Sequence, residues 1–255
     1  MAGNLFPGYT FLEDRIYMEE RVLESIKKAD KLLIGIGESF QENFTSLKSE
    51  MFSILEKEDA LEAGYQKIEY LKALKEDVVK EAYQKLYYLI KDKDYYILST
   101  CTDDKIFEIG FDNDKIVTPC GGFRFLQCQD NCQNELLPIT SDMIAKREKI
   151  KCPHCGSDCC FNQLPQEHYN ENGYLTSWQQ YNKWLQNTLN RNICILELGV
   201  GLTYPTVIRW PFEKIAFYNK KAVMYRVHDS LYQSTKELKE KCVSIKNNPI
   251  LFLNN

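Results

Sequence analysis

Ten of the 255 residues are cysteines, and four of those keep a spacing that suits a metal. Cys128-x3-Cys132 is followed downstream by Cys152-Pro-His-Cys155-Gly. A short Cys pair places two thiolates on one tight turn, and a Gly after the second Cys permits a positive φ there. Two such turns complete the tetrahedron of sulfurs that structural zinc prefers, and a closed four-sulfur site keeps no open position for catalysis. The expectation is therefore one structural zinc held by Cys128, Cys132, Cys152 and Cys155. The plainer alternative is a set of small buried thiols, and Cys159 or Cys160 could replace a neighbour in the quartet. His154, between two ligands, is expected to face solvent.

A second chemistry is suggested by glycines. LLIGIGES (Leu32 to Ser39) runs an apolar strand into Gly-x-Gly with a Ser close behind, and ILELGVGLTYP (Ile195 to Pro205) does the same. Glycines at a strand end let backbone approach a phosphate, and a Ser can cap a helix whose N-terminus attracts anions. Two such strand ends in one open sheet are the expected lining of a dinucleotide crevice. Either stretch taken singly also reads as an ordinary tight turn.

The elements that must position these residues are legible as apolar runs. Lys31 to Gly37, Tyr95 to Thr100, Ile193 to Val200 and Ala222 to Val227 read as continuous strands covered on both faces. Met18, Val22 and Ile26 form a helical stripe before the first strand, and Leu71, Leu74, Val78, Ala82, Leu86 and Leu89 form another before the second. Pro205 to Tyr218 reads as a short helix interrupted by Pro211. Strands alternating with helices give an α/β fold: a Rossmann-like open parallel sheet with a small zinc-binding module and a helical insertion. The expected division is a Rossmann-like domain over 1–126 and 165–255, a helical insertion at about 41–93, and a zinc module over 127–164. The stretch Gln41 to Leu61 is the helix-prone excursion inside the first strand–helix unit. The module's composition, rich in Cys, Asn, Gln and Pro, is too poor in apolar residues to build a core, so metal binding must supply much of its folding energy.

Net charge of −4 gives no broad nucleic-acid footprint. No apolar run is long enough to cross a bilayer, so no membrane association is expected. The N-terminus MAGNLFPGYTFLEDR lacks a cationic region followed by an apolar one, so no leader is expected. Many cysteines without a leader point to a reducing cytoplasm.

Taken in order, these pieces resemble the sirtuins, the NAD-dependent protein deacylases and ADP-ribosyltransferases. GIGES (Gly35 to Ser39) resembles the family's GAGxS phosphate loop, and STCTD (Ser99 to Asp103) stands where the family carries TQNID. CGGFRFLQC (Cys120 to Cys128) matches the segment joining the catalytic His to the first zinc ligand. Asn219 in AFYNKKA matches the Asn of a late IN motif. LGVGLTYPTVIRWPFEK (Leu198 to Lys214) is similar to a stretch of the class M-like microbial branch. The resemblance implies NAD bound across the strand ends. Its expected contacts are Gly35, Gly37, Glu38, Ser39 and Thr100 on the first half, then Gly121, Gly199, Val200, Gly201 and Asn219. Asp103 would lie near the nicotinamide end.

The departures from that family bear on the chemistry. Cys101 replaces an Asn, Cys120 replaces the catalytic His or the Gln of the class M-like branch, and FQENFTSL replaces a GIPDFR stretch. Cys120, Cys101 and Asp103 thus stand at the catalytic positions. A deacylase needs a base whose pKa lies near working pH, which imidazole supplies; a thiol acts as one only where its surroundings favour thiolate. Arg124 is the nearest cation to Cys120 in sequence. ADP-ribosyl transfer to a protein acceptor, an acyl-lysine or carrier protein, asks less of the base position and is the leading expectation. A catalytically inactive relative that binds NAD, ADP-ribose or a protein partner is the alternative, and a deacylase acting on acyl-lysine the third. Cys101 and Cys120 flank one site in the resembled fold, where they either fill space or form a redox pair.

Overall fold

The computed structural model describes residues 11–254 apart from 43, 45, 46 and 48, with no side-chain detail over 11–16. The first ten residues, on which the leader expectation rests, and part of the Gln41–Leu61 excursion lie outside the described residues. The chain runs from α1 (Phe11–Lys28) into β1 (Lys31–Ile36), then through α2 (Glu50–Glu58), α3 (Ala60–Ala73) and α4 (Val78–Ile90) to β2 (Tyr95–Ser99). Next come β3 (Ile116–Val117), β4 (Gly121–Cys128), β5 (Leu137–Pro138), α5 (Ser141–Lys146) and β6 (Cys159–Gln163). The last third holds α6 (Leu175–Gln186), β7 (Ile193–Leu198), α7 (Arg209–Tyr218), β8 (Val223–His228), β9 (Cys242–Lys246) and α8 (Pro249–Asn254).

Six strands form one sheet in the order β3-β2-β1-β7-β8-β9, every pairing parallel. Chain order reverses between β1 and β7, so the crevice beyond their carboxyl ends is the switch point at which open α/β sheets bind ligands. Both faces of the sheet are covered, which explains why its central strands are unbroken apolar runs. Val22 and Ile26 of α1, with Val79, Ala82, Leu86 and Ile90 of α4 and Phe252 of α8, cover one face. Tyr181 of α6 with Phe212 and Ala216 of α7 covers the other.

The second sheet, β5-β4-β6, is antiparallel. Its core joins Phe123, Leu126 and Phe161 to Leu61, Tyr65 and Ile68 of α3. The insertion therefore lies against the module, where Gly64 of α3 leaves room for the Phe161 ring that any Cβ would overlap.

Several expectations shift. The small sheet begins at Gly121, ahead of the boundary at Gln127, and α4 belongs to the main core, which leaves α2 and α3 as the insertion. The apolar stripe of residues 71–89 is two helices, not one. Asp77 accepts the Lys80 N–H and starts a new helix there. In α4 the inward face is carried by Val79, Tyr83 and Ile90 beside Ala82 and Leu86, while Val78 and Leu89 turn outward. Pro211 does not interrupt α7: it occupies the first turn, where a missing N–H costs nothing.

Candidate functional site

The four cysteines of the quartet converge, all their sulfurs lying within 4.8 Å of one another. Cys128 and Cys155 sulfurs are 3.5 Å apart, as are those of Cys132 and Cys152. Four bonds of about 2.3 Å in a tetrahedron put sulfurs about 3.8 Å apart, so the donor set fits zinc. The turns are built as the spacing implies. Gly156 has φ of +78° and donates to the Cys152 carbonyl, and the N–H groups of His154 and Cys155 point at the Cys152 sulfur. Ser157, through hydroxyl and N–H, draws the Cys155 thiol down to about 6, towards the thiolate that binds metal. Cys159 and Cys160 are buried on β6, opposite Cys128 and Gln127, and stand outside the quartet. His154 is exposed.

At the switch point the two Gly-x-Gly loops meet each other. Gly37 donates to the Leu198 carbonyl and Ser39 N–H to the Gly199 carbonyl, continuing the parallel ladder beyond the strands. A Cβ on Gly37 would run into Gly199 and Val200 backbone, and one on Gly35 would overlap Ile208, just ahead of α7, and Phe212 within it. The absence of a side chain at these glycines serves strand–strand and helix–strand packing. Gly121, φ +72°, likewise is required by the close approach of the Asn162 backbone. Gly199 takes φ of +66° to turn the chain, and the Val200 carbonyl accepts from the buried Arg209 guanidinium.

The residue after the first glycine pair holds the most engaged carboxylate of the crevice. Glu38 accepts from Gly201 N–H and Thr203 N–H, both at 3.3 Å. Burial pushes its carboxyl up, but its own N–H, the Thr203 hydroxyl and these two amides outweigh that and hold it below its ordinary value. Ser39 Oγ lies 3.1 Å from His228 Nε2, while the N–H groups of Ser230 and Leu231 aim at Nδ1. The Asp229 carboxylate also lies 2.8 Å from Nδ1.

Beside it, at the end of β2, lie the expected catalytic residues. Cys101 donates its S–H to the Gly37 carbonyl at 3.2 Å, and burial, then Asp103, push its thiol well up. Cys120 is 1% exposed, and burial with the Glu38 charge pushes it up to about 12. Both thiols are free. Arg124 gives Cys120 no help: its guanidinium stacks on Phe107 at 3.4 Å and faces Asp104. Burial thus favours the neutral thiol at both positions, against the thiolate that a base would need. Asp103 uses its carboxylate on the N–H groups of Glu42 and Lys105, and burial raises it against those bonds. It thereby fixes the backbone at Glu42, beyond β1. Thr100 Oγ1, in a residue 6% exposed, is buried with no hydrogen-bond partner among the described residues.

Asn219 is misplaced by the sequence reading. It follows α7 and precedes β8, so it lies at the amino end of the sheet, away from the crevice. Its amide donates to the Thr188 and Arg191 carbonyls ahead of β7. The side chain that β8 brings to the crevice is His228, at the strand's carboxyl end. Counting from the apolar run MYRV would have found it. Asp104 was also missed. With φ of +58° it reaches across to the N–H groups of Phe123 and Arg124 on β4, and Gly122 leaves the room it needs. Burial pushes this carboxyl up to about 7. The contact ties the end of β2 to the metal module. A cleft of about 480 Å³ opens beside it, between α2–α3 and the Gln163–Gln166 loop, with Thr102 in its wall.

No family model matches the chain. It is 22% identical to a protein ADP-ribosyltransferase of Staphylococcus aureus over 96% of this chain and 89% of that protein. A stretch covering 48% of the chain is 26% identical to a probable bifunctional ADP-ribose hydrolase/ADP-ribosyltransferase of Fusarium oxysporum f. sp. cubense, and spans 24% of that protein. Among solved structures, a Sir2 enzyme matches with a TM-score of 0.56 at 14% identity, covering 95% of each chain. A Sir2 mutant with p53 peptide and NAD matches at 0.59 and 14% identity, over 92% of this chain and 95% of that one.

Proposed function

The chain has the sirtuin fold, and we propose that it acts as an NAD-dependent protein ADP-ribosyltransferase whose smaller module is held by a structural zinc. The observation that carries this reading is the switch-point crevice, where the expected base position holds a neutral thiol pushed up to about 12. Deacylation needs a group there that takes a proton at working pH, and a buried thiol does not. Transfer needs only binding, orientation and an acceptor that brings its own nucleophile. The Staphylococcus aureus relative, matched along most of its length, supports the same choice.

NAD bound here would supply the glycosidic bond whose cleavage releases nicotinamide and hands ADP-ribose to the acceptor. The loop from Gly199 to Thr203 is assigned to its diphosphate side, with Ser39 and His228 at the rim. Thr100, whose buried hydroxyl lacks a partner among the described residues, fits a polar group at the nicotinamide side. Asp103 holds the backbone at Glu42 through its N–H rather than reacting itself. The cleft lined by Thr102, Gln163 and Lys67 is the proposed approach for the protein acceptor.

Calorimetry with NAD, followed by incubation of adenine-labelled NAD with cell extract, tests the reading. Binding tighter than about 1 mM with label passing to extract protein is expected. Binding without any transfer would replace the enzyme by an inactive binder, and no binding would end the NAD reading.

A further inference from the structure

In a doubly wound sheet the first strand–turn at the switch point is where a diphosphate meets backbone N–H groups. Here those groups are already taken. Gly37 N–H bonds Leu198, and Ser39 N–H bonds Gly199. Across the crevice the Gly201 and Thr203 N–H groups, with the Thr203 hydroxyl, turn to one acceptor, the Glu38 carboxylate. The arrangement is an anion nest with an anion from the chain already inside it. Position 201 carries the same signature independently: a Cβ there would overlap the Glu38 carboxylate, so this glycine makes room for a side chain of the protein itself. The charge also acts on the Cys120 thiol and the Tyr204 phenol, adding to the rise that burial gives each.

We infer that Glu38 is an internal competitor for the nucleotide's diphosphate, filling the Gly201–Thr203 nest until it swings out. The inference takes its ligand from the NAD reading above. A diphosphate and a carboxylate cannot share these donors, because like charges in contact repel and the donors are too few for both. The cost of displacing Glu38 therefore weakens binding of any nucleotide carrying a diphosphate and leaves a nucleoside untouched.

The test is titration of the wild-type chain, Glu38→Ala and Glu38→Gln with ADP-ribose, adenosine and inorganic pyrophosphate. Glu38→Ala is expected to bind ADP-ribose at least about tenfold tighter than wild type, with adenosine unchanged. Glu38→Gln keeps the shape without the charge and should show a smaller gain; it carries the test if the Ala variant does not fold. ADP-ribose affinity equal to or weaker than wild type in the folded variants would overturn the inference, marking Glu38 as a bystander or a ligand contact. If no protein binds ADP-ribose, pyrophosphate decides. Its binding to Glu38→Ala alone would uphold the competitor and remove the NAD reading, whereas no pyrophosphate binding would overturn both.

Discussion

Burial and the Glu38 carboxylate push the Cys120 thiol up to about 12, and burial alone does the same to Cys194 on β7. Cys242 on β9 is held up to about 11, again first by burial. An unfolded thiol ionises near about 8.5, so the folded chain grips these protons more tightly. That stabilisation is complete below about pH 8.5 and is lost as pH rises towards 11–12. Urea midpoints should fall steeply between about pH 8.5 and 11, and Cys194→Ala should flatten the slope; an unchanged slope would mean the thiol is not held neutral. Asn219 makes the contrasting case. Its amide closes the loop before β7, so Asn219→Ala should cost about 1–3 kcal/mol of unfolding free energy and leave ADP-ribose affinity unaltered. The zinc quartet was legible from spacing, because two short Cys pairs dictate their own turns. The glycines were legible as close approaches, but what approaches each one was not. At Gly35 it is a helix, at Gly37 a neighbouring loop and at Gly201 a glutamate.

Strand β4 joins the two halves of the molecule. Gln127, 1% exposed, accepts from Asn162 and Asn170 and donates to the His168 carbonyl, locking β4 to β6 and to the 168–172 segment. On its other face Phe161 packs edge-on against Tyr65 of α3 and Phe123 of β4. Phe161→Ala should therefore cost about 3–5 kcal/mol and raise hydrogen exchange in α3 together with β4 and β6. Exchange confined to β6 would mean that α3 is not part of the same cooperative unit. Sequence could not show this contact, because α3 lies far from the module along the chain. The break between α3 and α4 was hidden for a different reason. Apolar residues continue at helical spacing across Leu74–Asp77, and only the Asp77 cap and a shifted inward face mark the boundary. CVSIK was overlooked as β9, a short edge strand whose alternation carries a weak signal.

Across the whole molecule, two cores answer to different forces. The six-stranded sheet buries continuous apolar strands on both faces and needs no metal. The smaller core is thin, and its strand β4 ends on the quartet at Cys128, paired across to Cys159 of β6. The native protein should contain about one zinc per chain. Chelation should release α3 and β4–β6 to proteolysis while the sheet stays protected; zinc-free protein with the module intact would contradict that. The four central strands and the α/β class could be read from the chain because buried parallel strands have an unmistakable composition. No helix among the described residues is long and apolar enough to cross a membrane.

The most direct measurement is nicotinamide release from NAD by wild type and by the Cys101→Ala, Cys120→Ala double variant, with and without cell extract, beside an acetylated-peptide assay. Release should rise when extract supplies acceptor and persist in the double variant, since neither thiol takes a proton, and the peptide should keep its acetyl group. Deacetylation by wild type that the double variant loses would contradict the reading, because it would make one of these buried thiols the base.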